Sequence, residues 1–387
     1  MNNNILVINS GSTTLKFSVY NSRLQKLLAG NLEGIGLPGS FLSYKIGSRT
    51  KVVKFNGQIK NHQQALSFIF KNVDFSFAEI KLVGHRVAIG GHRYKQTMQV
   101  SKNIFKELKK NNELAPLHNP ANMMGLAACF QLLKKAKNFA IFDTSFYKNL
   151  PDYAYTYALP YALAKKWHIR RNGFHGTSHH YVAQQAAVQL KKSLKKLNLI
   201  TCHLGGGCSI TAIRSGKAVD TSLGFSPLEG LVMGTRPGDL DPATIPYLMD
   251  KMKLSTKQIS HLLNFQSGLI GIFGKSSDLR EVLVAAGHRV PGFRSSYKYN
   301  KISRQKAKLA LAVYIYRIQK YISAYAGILG KVDAIIFTAG TGERNPDVRR
   351  LIMKDLKMLR GVKVLPIHTD EQLMIAREVK KHAHPKR

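Results

Sequence analysis

Acidic residues are scarce in this chain. Only 21 Asp and Glu stand against 59 Lys and Arg, which leaves a formal charge of +38 over 387 residues. Even so, 44% apolar with 21% charged residues is an ordinary globular composition and argues against a disordered chain. Cysteine is almost missing. Cys129, Cys202 and Cys208 are an odd number without C-x-x-C spacing. They form neither a disulfide framework nor a zinc site, and they suit a reducing cytoplasm. Long apolar runs are absent as well. None reaches about 18 residues, so no membrane span is expected. Residues 308–330 come nearest, but Arg317, Gln319 and Lys320 interrupt them, which predicts a packed amphipathic helix. The opening MNNNILVINSGS lacks a cationic stretch ahead of a long apolar one, so a signal peptide is not expected. No low-complexity tract or Pro/Ser-rich linker divides the chain. The charge surplus raises the expectation of polyanionic partners: nucleic acid, acidic membrane or phosphorylated substrate.

What is present begins with an internal echo. Residues 5–20 (ILVINSGSTTLKFSVY) and 199–213 (LITCHLGGGCSITAI) each read as strand, Gly-rich turn, strand. They lie about half the chain apart, which suggests duplicated halves rather than a short-period array. A third turn, FTAGTGERN, follows the apolar run DAIIF at 333–337. Helices are predicted over 120–133, where Pro120 occupies an early helical position, over 177–192, and over 303–329. Strands alternating with helices point to an α/β fold. A hairpin-like Gly turn differs from a Rossmann unit, and neither G-x-G-x-x-G nor G-x-x-x-x-G-K-[ST] occurs in the required context.

Three glycine turns suggest phosphate binding, because glycine lets backbone N–H groups approach anionic oxygens. Each turn alone is equally an ordinary hairpin turn. The polar segments of the middle of the chain add chemistry: GHRVAIGG, APLHNPAN, FDTSFY, RRNGFHGTSHHYV, HLGGGCS, DTSLGFSPLEGLVMGTRPGDLDP and SSDLR. His175 and His179 stand at i, i+4, a spacing used for metal pairs, but no H-E-x-x-H glutamate accompanies them, and Gly176 with Thr177 reads as a helix start. The competing reading of His179 is a buried ring satisfied by hydrogen bonds. Arg86 and Arg236 sit in Gly-rich context and are candidate forks for carboxylate or phosphate.

These segments, with VINSGSTTLKF, SGLIGIFGKSSDLR and TDEQLMIARE, resemble the acetate/propionate kinase family, in the family's order from about residue 5 to 378. The resemblance implies a two-domain, duplicated actin-like ATPase (ribonuclease H-like) fold. It assigns 1–150 to the acyl-substrate side, 151–369 to the nucleotide side, and 370–387 to a helix packing back on the first domain. It implies a reversible transfer of phosphoryl from ATP to acetate, giving ADP and acetyl phosphate, by a cytoplasmic homodimer with hinge closure between its domains. By the same resemblance Asn9 and Glu371 form the Mg²⁺ site, with Mn²⁺ as the substitute ion. One carboxylate with an amide oxygen is chemically sufficient for Mg²⁺. Lys16 reaches phosphate, Arg86 holds the substrate carboxylate, and Arg236 with His175 stabilises the transferring phosphoryl group. Asp143 occupies the position described as proton donor or acceptor. Acetate is already ionised at neutral pH, so the expectation is that Asp143 orients an arginine or a Mg²⁺-bound water.

The nucleotide segments carried over are His203, Leu204, Gly205, Gly206 and Gly207, then Asp278, Leu279 and Arg280, then Gly340, Thr341, Gly342, Glu343 and Arg344. Two departures fall here: Gly206 and Arg344 each stand where the family usually has Asn. The acyl pocket is lined by Ala88, Leu117, Phe174 and Pro227, and Ala88 replaces the usual Val. The room left by two methyl groups favours propionate, with propionyl phosphate as product, as an alternative. Two other readings remain: a hydroxyl-directed kinase of the same fold class, and a basic nucleic-acid-binding protein. The latter rests on net charge and on RVPGFRSSYKYNKISRQK (289–306), which otherwise reads as a solvated loop beside a long helix. Asp143, Asp220, Glu229, Asp239, Asp241, Asp278, Glu281, Glu343, Asp370 and Glu371, ten of the 21 acidic residues, all lie in or beside the matched segments. The lysines run instead through helix-like surface segments such as KELKK and KKSLKK. The +38 therefore reads as background around a site that kept its carboxylates, with no specific nucleic acid and no membrane as partner.

Overall fold

The computed structural model describes residues 4–55 and 57–383. The chain folds as two units. The first comprises the chain through Lys148, the short piece Gly176–Ser178, and the chain from Asp370 onward; the second comprises Asn149–His175 and His179–Thr369. No described helix is long and apolar enough to cross a membrane.

In the first unit the strands are β1 (Asn4–Ser10), β2 (Thr14–Tyr20), β3 (Lys26–Glu33), β4 (Phe41–Ile46), β5 (Arg49–Lys54), β6 (Ile80–Val87), β7 (Met98–Gln99) and β8 (Lys137–Phe142). They form one sheet in the order β5-β4-β3-β2-β1-β6-β8-β7. β1 and β2 are antiparallel, whereas β6 lies parallel to β1 and β8 parallel to β6. β1 is buried on both faces, as its continuous apolar run ILVI (5–8) requires of a central strand. One face packs Ile8, Leu15, Phe17 and Val19 against helices His62–Asn72 and Asn119–Leu132. The other packs Ile5, Val7, Tyr20 and Ile141 against Ile375, Ala376 and Val379 of helix Glu371–Ala383. That helix comes close to the sheet because Gly84 has no Cβ. One built there would lie 2.6 Å from Val379 Cγ2 and 2.8 Å from Ile375 Cγ2. The helix expected over 370–387 thus occupies Glu371–Ala383, and 384–387 lie outside the described residues.

In the second unit β9 (Asn198–Leu204), β10 (Cys208–Arg214), β11 (Lys217–Thr221), β12 (Ala334–Thr338) and β13 (Lys363–Pro366) are ordered β11-β10-β9-β12-β13. This is the order β3-β2-β1-β6-β8 of the first sheet, with the same strand directions. The echo between 5–20 and 199–213 is therefore a repeated sheet core. Helix Gly176–Gln189 stops earlier than the expected 192. Lys191 adopts φ 51°, and the Lys192 and Lys191 N–H groups bond back to the Ala187 and Val188 carbonyls, which closes the helix. The long helix spans Lys301–Leu329, capped by Asn300 and burying Ala310, Leu311, Tyr314, Ile318 and Ile322 at helical spacing. One expectation is corrected. FTAGTGERN, expected as a third Gly turn, is instead a strand end and a helix: β12 runs through Ala339, at φ 63°, into the short helix Ala339–Arg344, as a parallel strand does when a crossover follows. The 289–300 stretch is irregular chain tied down by Glu281, which accepts from Ser295 Oγ, Ser296 N–H and Tyr299 Oη.

Candidate active site

In the first unit the β1–β2 hairpin sets the register. Asn9 pairs directly with Lys16, one rung behind Ser10 and Leu15 at the turn. The turn is braced from behind. Gly11 N–H donates to the Thr14 carbonyl (2.8 Å), and the buried His62 donates from Nε2 to the Gly11 carbonyl (2.7 Å). On the far side of β1, Ile8 pairs with His85, so Arg86 follows one residue on, beside Asn9. Its guanidinium is held at three points. Nε donates to Asp143 Oδ2 (3.0 Å), Nη2 donates to the same oxygen, and Nη1 lies 3.4 Å from Asn9 Oδ1. Asp143 directly follows β8 and is 1% exposed. Its second oxygen accepts from Thr177 Oγ1 (3.0 Å).

Helix Glu371–Ala383 brings a second carboxylate to this cluster. Asp370 caps it, accepting from Leu373 N–H (2.8 Å) and pairing with Lys26 Nζ (2.8 Å), while Gln372 accepts from Ser18 Oγ on β2. Glu371 is thereby set among Arg86, Asp143 and Lys16. Burial pushes its carboxyl above the usual range, Arg86 and Lys16 pull it down, and Asp143 adds to the rise. Burial would lower Arg86, but the Asp143 and Glu371 charges outweigh it, and the guanidinium stays firmly cationic. Ala88, 2% exposed, gives its N–H to Asn122 Oδ1 (3.0 Å), and Asn122 Nδ2 donates to the Ser10 carbonyl (2.7 Å). Asn119 clasps Ile89 through both its N–H and its carbonyl. Leu117 stands just ahead of helix Asn119–Leu132 and is exposed.

In the second unit His175 occupies the left-handed region (φ 57°, ψ 20°) immediately before helix Gly176–Gln189. A non-glycine residue in that region is strained, and such strain collects at functional positions. Its ring stacks on His203 of β9 (centroids 4.3 Å apart, 23° between planes). A Cβ added at Gly207 would meet His175 Nε2 at 3.2 Å, so that ring edge fronts the β9–β10 turn. His175 Nδ1 lies 2.9 Å from Ser209 Oγ, the residue paired with His203 across the hairpin. His179 is fully buried, with Nε2 2.7 Å from Ser209 Oγ and Nδ1 2.7 Å from Thr201 Oγ1. The spacing that suggested a metal pair instead serves hydrogen bonds. No group of three or more His, Cys, Asp or Glu that could hold a metal occurs among the described residues.

Arg236 is half-buried, and its Nη1 lies 3.3 Å from the Pro227 carbonyl and 3.9 Å from Met233 Sδ. Among the described residues it forms no ion pair, and desolvation lowers its pKa. A buried cation without a carboxylate is a seat for an incoming anion. Phe174 is buried at the strained approach to His175. Gly206 has open space where a Cβ would point, so packing does not dictate its glycine. Asp278 caps helix Leu279–Ala286 and is clasped by Arg280, whose guanidinium also lies over Phe293 (4.7 Å). Gly340, Thr341 and Gly342 lie in helix Ala339–Arg344, Arg344 is exposed at its last position, and Glu343 pairs with His368 (2.9 Å).

The structure therefore gathers Asn9, Lys16, Arg86, Asp143 and Glu371 in one unit, and His175, His203 and the 205–207 turn in the other. Sequence reasoning missed the braces: His62, Asn119, Asn122, Thr201 and Ser209. The asparagines had a visible signal, since APLHNPAN places them three apart at a helix start.

The profile of the acetokinase family matches residues 4–378. The acetate kinase of Dictyoglomus thermophilum is 44% identical, with 97% of this chain and 98% of that protein covered. The acetate kinase of Caldicellulosiruptor saccharolyticus is 42% identical over the same shares. Among solved structures, Porphyromonas gingivalis acetate kinase superposes with a TM-score of 0.85 at 36% identity, covering 98% of this chain and 100% of that one. A propionate kinase from Francisella tularensis superposes with 0.87 at 35% identity, covering 98% and 99%.

Proposed function

The chain belongs to the acetokinase family, and from that premise we propose that it transfers the γ-phosphoryl group of ATP reversibly to acetate, giving ADP and acetyl phosphate. A carboxylate oxygen of acetate forms the new P–O bond as the bond from phosphorus to the β–γ bridging oxygen breaks, and ADP leaves with that oxygen.

The observation that carries this reading is the contrast between two arginines. Arg86 is locked in place by Asp143 and Asn9, whereas Arg236 has no acidic partner among the described residues. A fixed, cationic Arg86 suits a carboxylate that must be oriented. Arg236 supports a phosphoryl group whose charge spreads over its equatorial oxygens. The oxygens of Asp143 are engaged by Arg86 and Thr177. Acetate brings no proton at neutral pH, so Asp143 serves as the orienting partner of Arg86 rather than as a base. Lys16 and the 205–207 turn offer an ammonium and backbone N–H groups to phosphate.

The hard oxygens of Glu371 and Asn9 fit Mg²⁺, or Mn²⁺, which takes few protein ligands and leaves the rest to phosphates and water. Bound there, the ion would neutralise phosphate charge. The same reading places the enzyme in the cytoplasm as a homodimer. A light-scattering mass near twice 43.2 kDa tests the dimer.

An ATP-dependent acyl-hydroxamate assay decides the activity, and no acyl phosphate from either acid overturns it. A propionate preference is the second reading, favoured by the small Ala88 side chain. Ala88→Val is expected to shift kcat/KM toward acetate by about tenfold or more, the worth of one methylene in a pocket. An unchanged ratio of the two acids removes this second reading.

A further inference from the structure

The four groups behind His175 share their hydrogens in an order that can be worked out. Thr211 O is a carbonyl and only accepts, so the Thr201 hydroxyl, 3.4 Å away, donates to it. Thr201 Oγ1 then accepts from His179 Nδ1–H (2.7 Å). His179 is fully buried on helix Gly176–Gln189, and burial keeps its ring neutral. A neutral ring protonated at Nδ1 has a bare Nε2, which accepts from Ser209 Oγ–H (2.7 Å). The Ser209 hydroxyl, having spent its proton, accepts from His175 Nδ1–H (2.9 Å). Thr201 and Thr211 are direct cross-strand partners, as are His203 and Ser209, so the pairing of β9 with β10 fixes the whole line.

We propose that Thr201, His179 and Ser209 are positioning residues that hold a proton on His175 Nδ1, so that His175 offers a hydrogen from Nε2 only as the imidazolium. This rests on the reading that His175 meets the transferring phosphoryl group. The consequence is a charge requirement. A neutral His175 would turn a lone pair toward anionic oxygens, and the cation would turn an N–H. Among the described residues, the titratable neighbours of the ring include His203, stacked on it from β9, and His179, which shares Ser209 with it.

The test uses the full-length enzyme. In the ¹⁵N–¹H spectrum of histidine-labelled protein, His175 is expected to carry its neutral-form proton on Nδ1. Above the His175 pKa, kcat should fall by about tenfold per pH unit, as for any step needing one protonated group. Thr201→Val removes the acceptor of His179 Nδ1–H. The cheaper arrangement then reverses the line, because a buried unpaired acceptor costs less than a lost donor bond plus a forced tautomer. His175 is left with its proton on Nε2, and the alkaline fall of kcat should flatten to within about twofold across that range. Thr201→Ser should restore the wild-type profile. Ser209→Ala cuts the line directly and should lower kcat by about 10–100-fold with KM for ATP and acid changed less than about threefold. In His203→Gln the alkaline fall should persist.

A wild-type Nε2–H tautomer, an unaltered profile in Thr201→Val, or loss of the fall in His203→Gln overturns the proposal. Absence of acyl kinase activity in the wild type would overturn the functional reading instead, and the tautomer spectra would still judge the relay.

Discussion

In the first unit the second rung behind the hairpin turn pairs Asn9 with Lys16, and the arginine on the adjoining strand is clasped by Asp143. In the second unit the corresponding rung pairs His203 with Ser209, and Arg236 lies against a carbonyl and a thioether. The five-strand order of the second sheet repeats the core of the first. One sheet thus spends buried acid to fix a cation, and the other fixes histidine rings with hydroxyls and leaves its arginine without a carboxylate among the described residues. A duplicated scaffold dictates where side chains stand, whereas charge balance dictates what each half can receive.

The comparison breaks most visibly at Arg86. Arg86→Gln strands the buried Asp143 carboxylate and should destabilise the fold by about 3–5 kcal/mol in denaturant unfolding. A loss below about 1 kcal/mol would show that the clasp is not energetically distinct from an exposed pair. Arg236→Gln should behave oppositely: kcat lower by about 10²–10³-fold, with stability unchanged or higher, since no partner is stranded. A large loss of stability there would erase the contrast.

The histidines sharpen it through pH. His85, fully inside the first unit and bonded to Asn138, is pushed down to about 4 by burial, and His62 is lowered by the same cause. The unfolded chain takes up protons near 6.5 that the folded chain refuses until about 4. Stability is therefore complete above pH 6.5 and declines as pH falls toward 4, with His85 contributing about 3 kcal/mol to the loss. His85→Gln should remove its own share of that slope, and the rest belongs to His62 and to the fully buried His179 of the second unit, which burial also lowers. The smallest effect concerns the surface. With a net charge of +38, kcat/KM for ATP should fall about two- to fivefold between low and physiological salt. Salt independence would mean that the surplus does not steer nucleotide.

Much of the fold was legible. Apolar runs around Gly turns disclosed two repeated cores, and the helices over 119–132 and 301–329 followed from spacing and caps. The 339–344 segment misled because Gly and Thr suit a tight turn and a helix start equally well; the parallel partner of β12 decides between them. Side-chain chemistry named Arg86 and Arg236 as candidate forks in Gly-rich context, and the family resemblance added Asp143 and the role of His175. Their braces stayed hidden. Thr201 and Ser209 look like ordinary strand residues, and only the register of β9 against β10 lines them up under His179. His62 is likewise silent until its helix is seen behind the Gly11 turn.

The missing Cβ at Gly84 lets helix Glu371–Ala383 settle onto β1, β6 and β8, strands made some 230–370 residues earlier. During synthesis those strands leave the ribosome with one apolar face bare, and nothing local covers it until the helix is translated. Ile5, Val7 and Ile141 must wait for Ile375 and Val379. Contacts so distant in sequence form slowly and leave sticky surface exposed meanwhile. The same delay is protective, because the helix that closes this face also delivers Glu371. The nascent chain gains the second carboxylate of the Arg86 cluster only as its core is sealed.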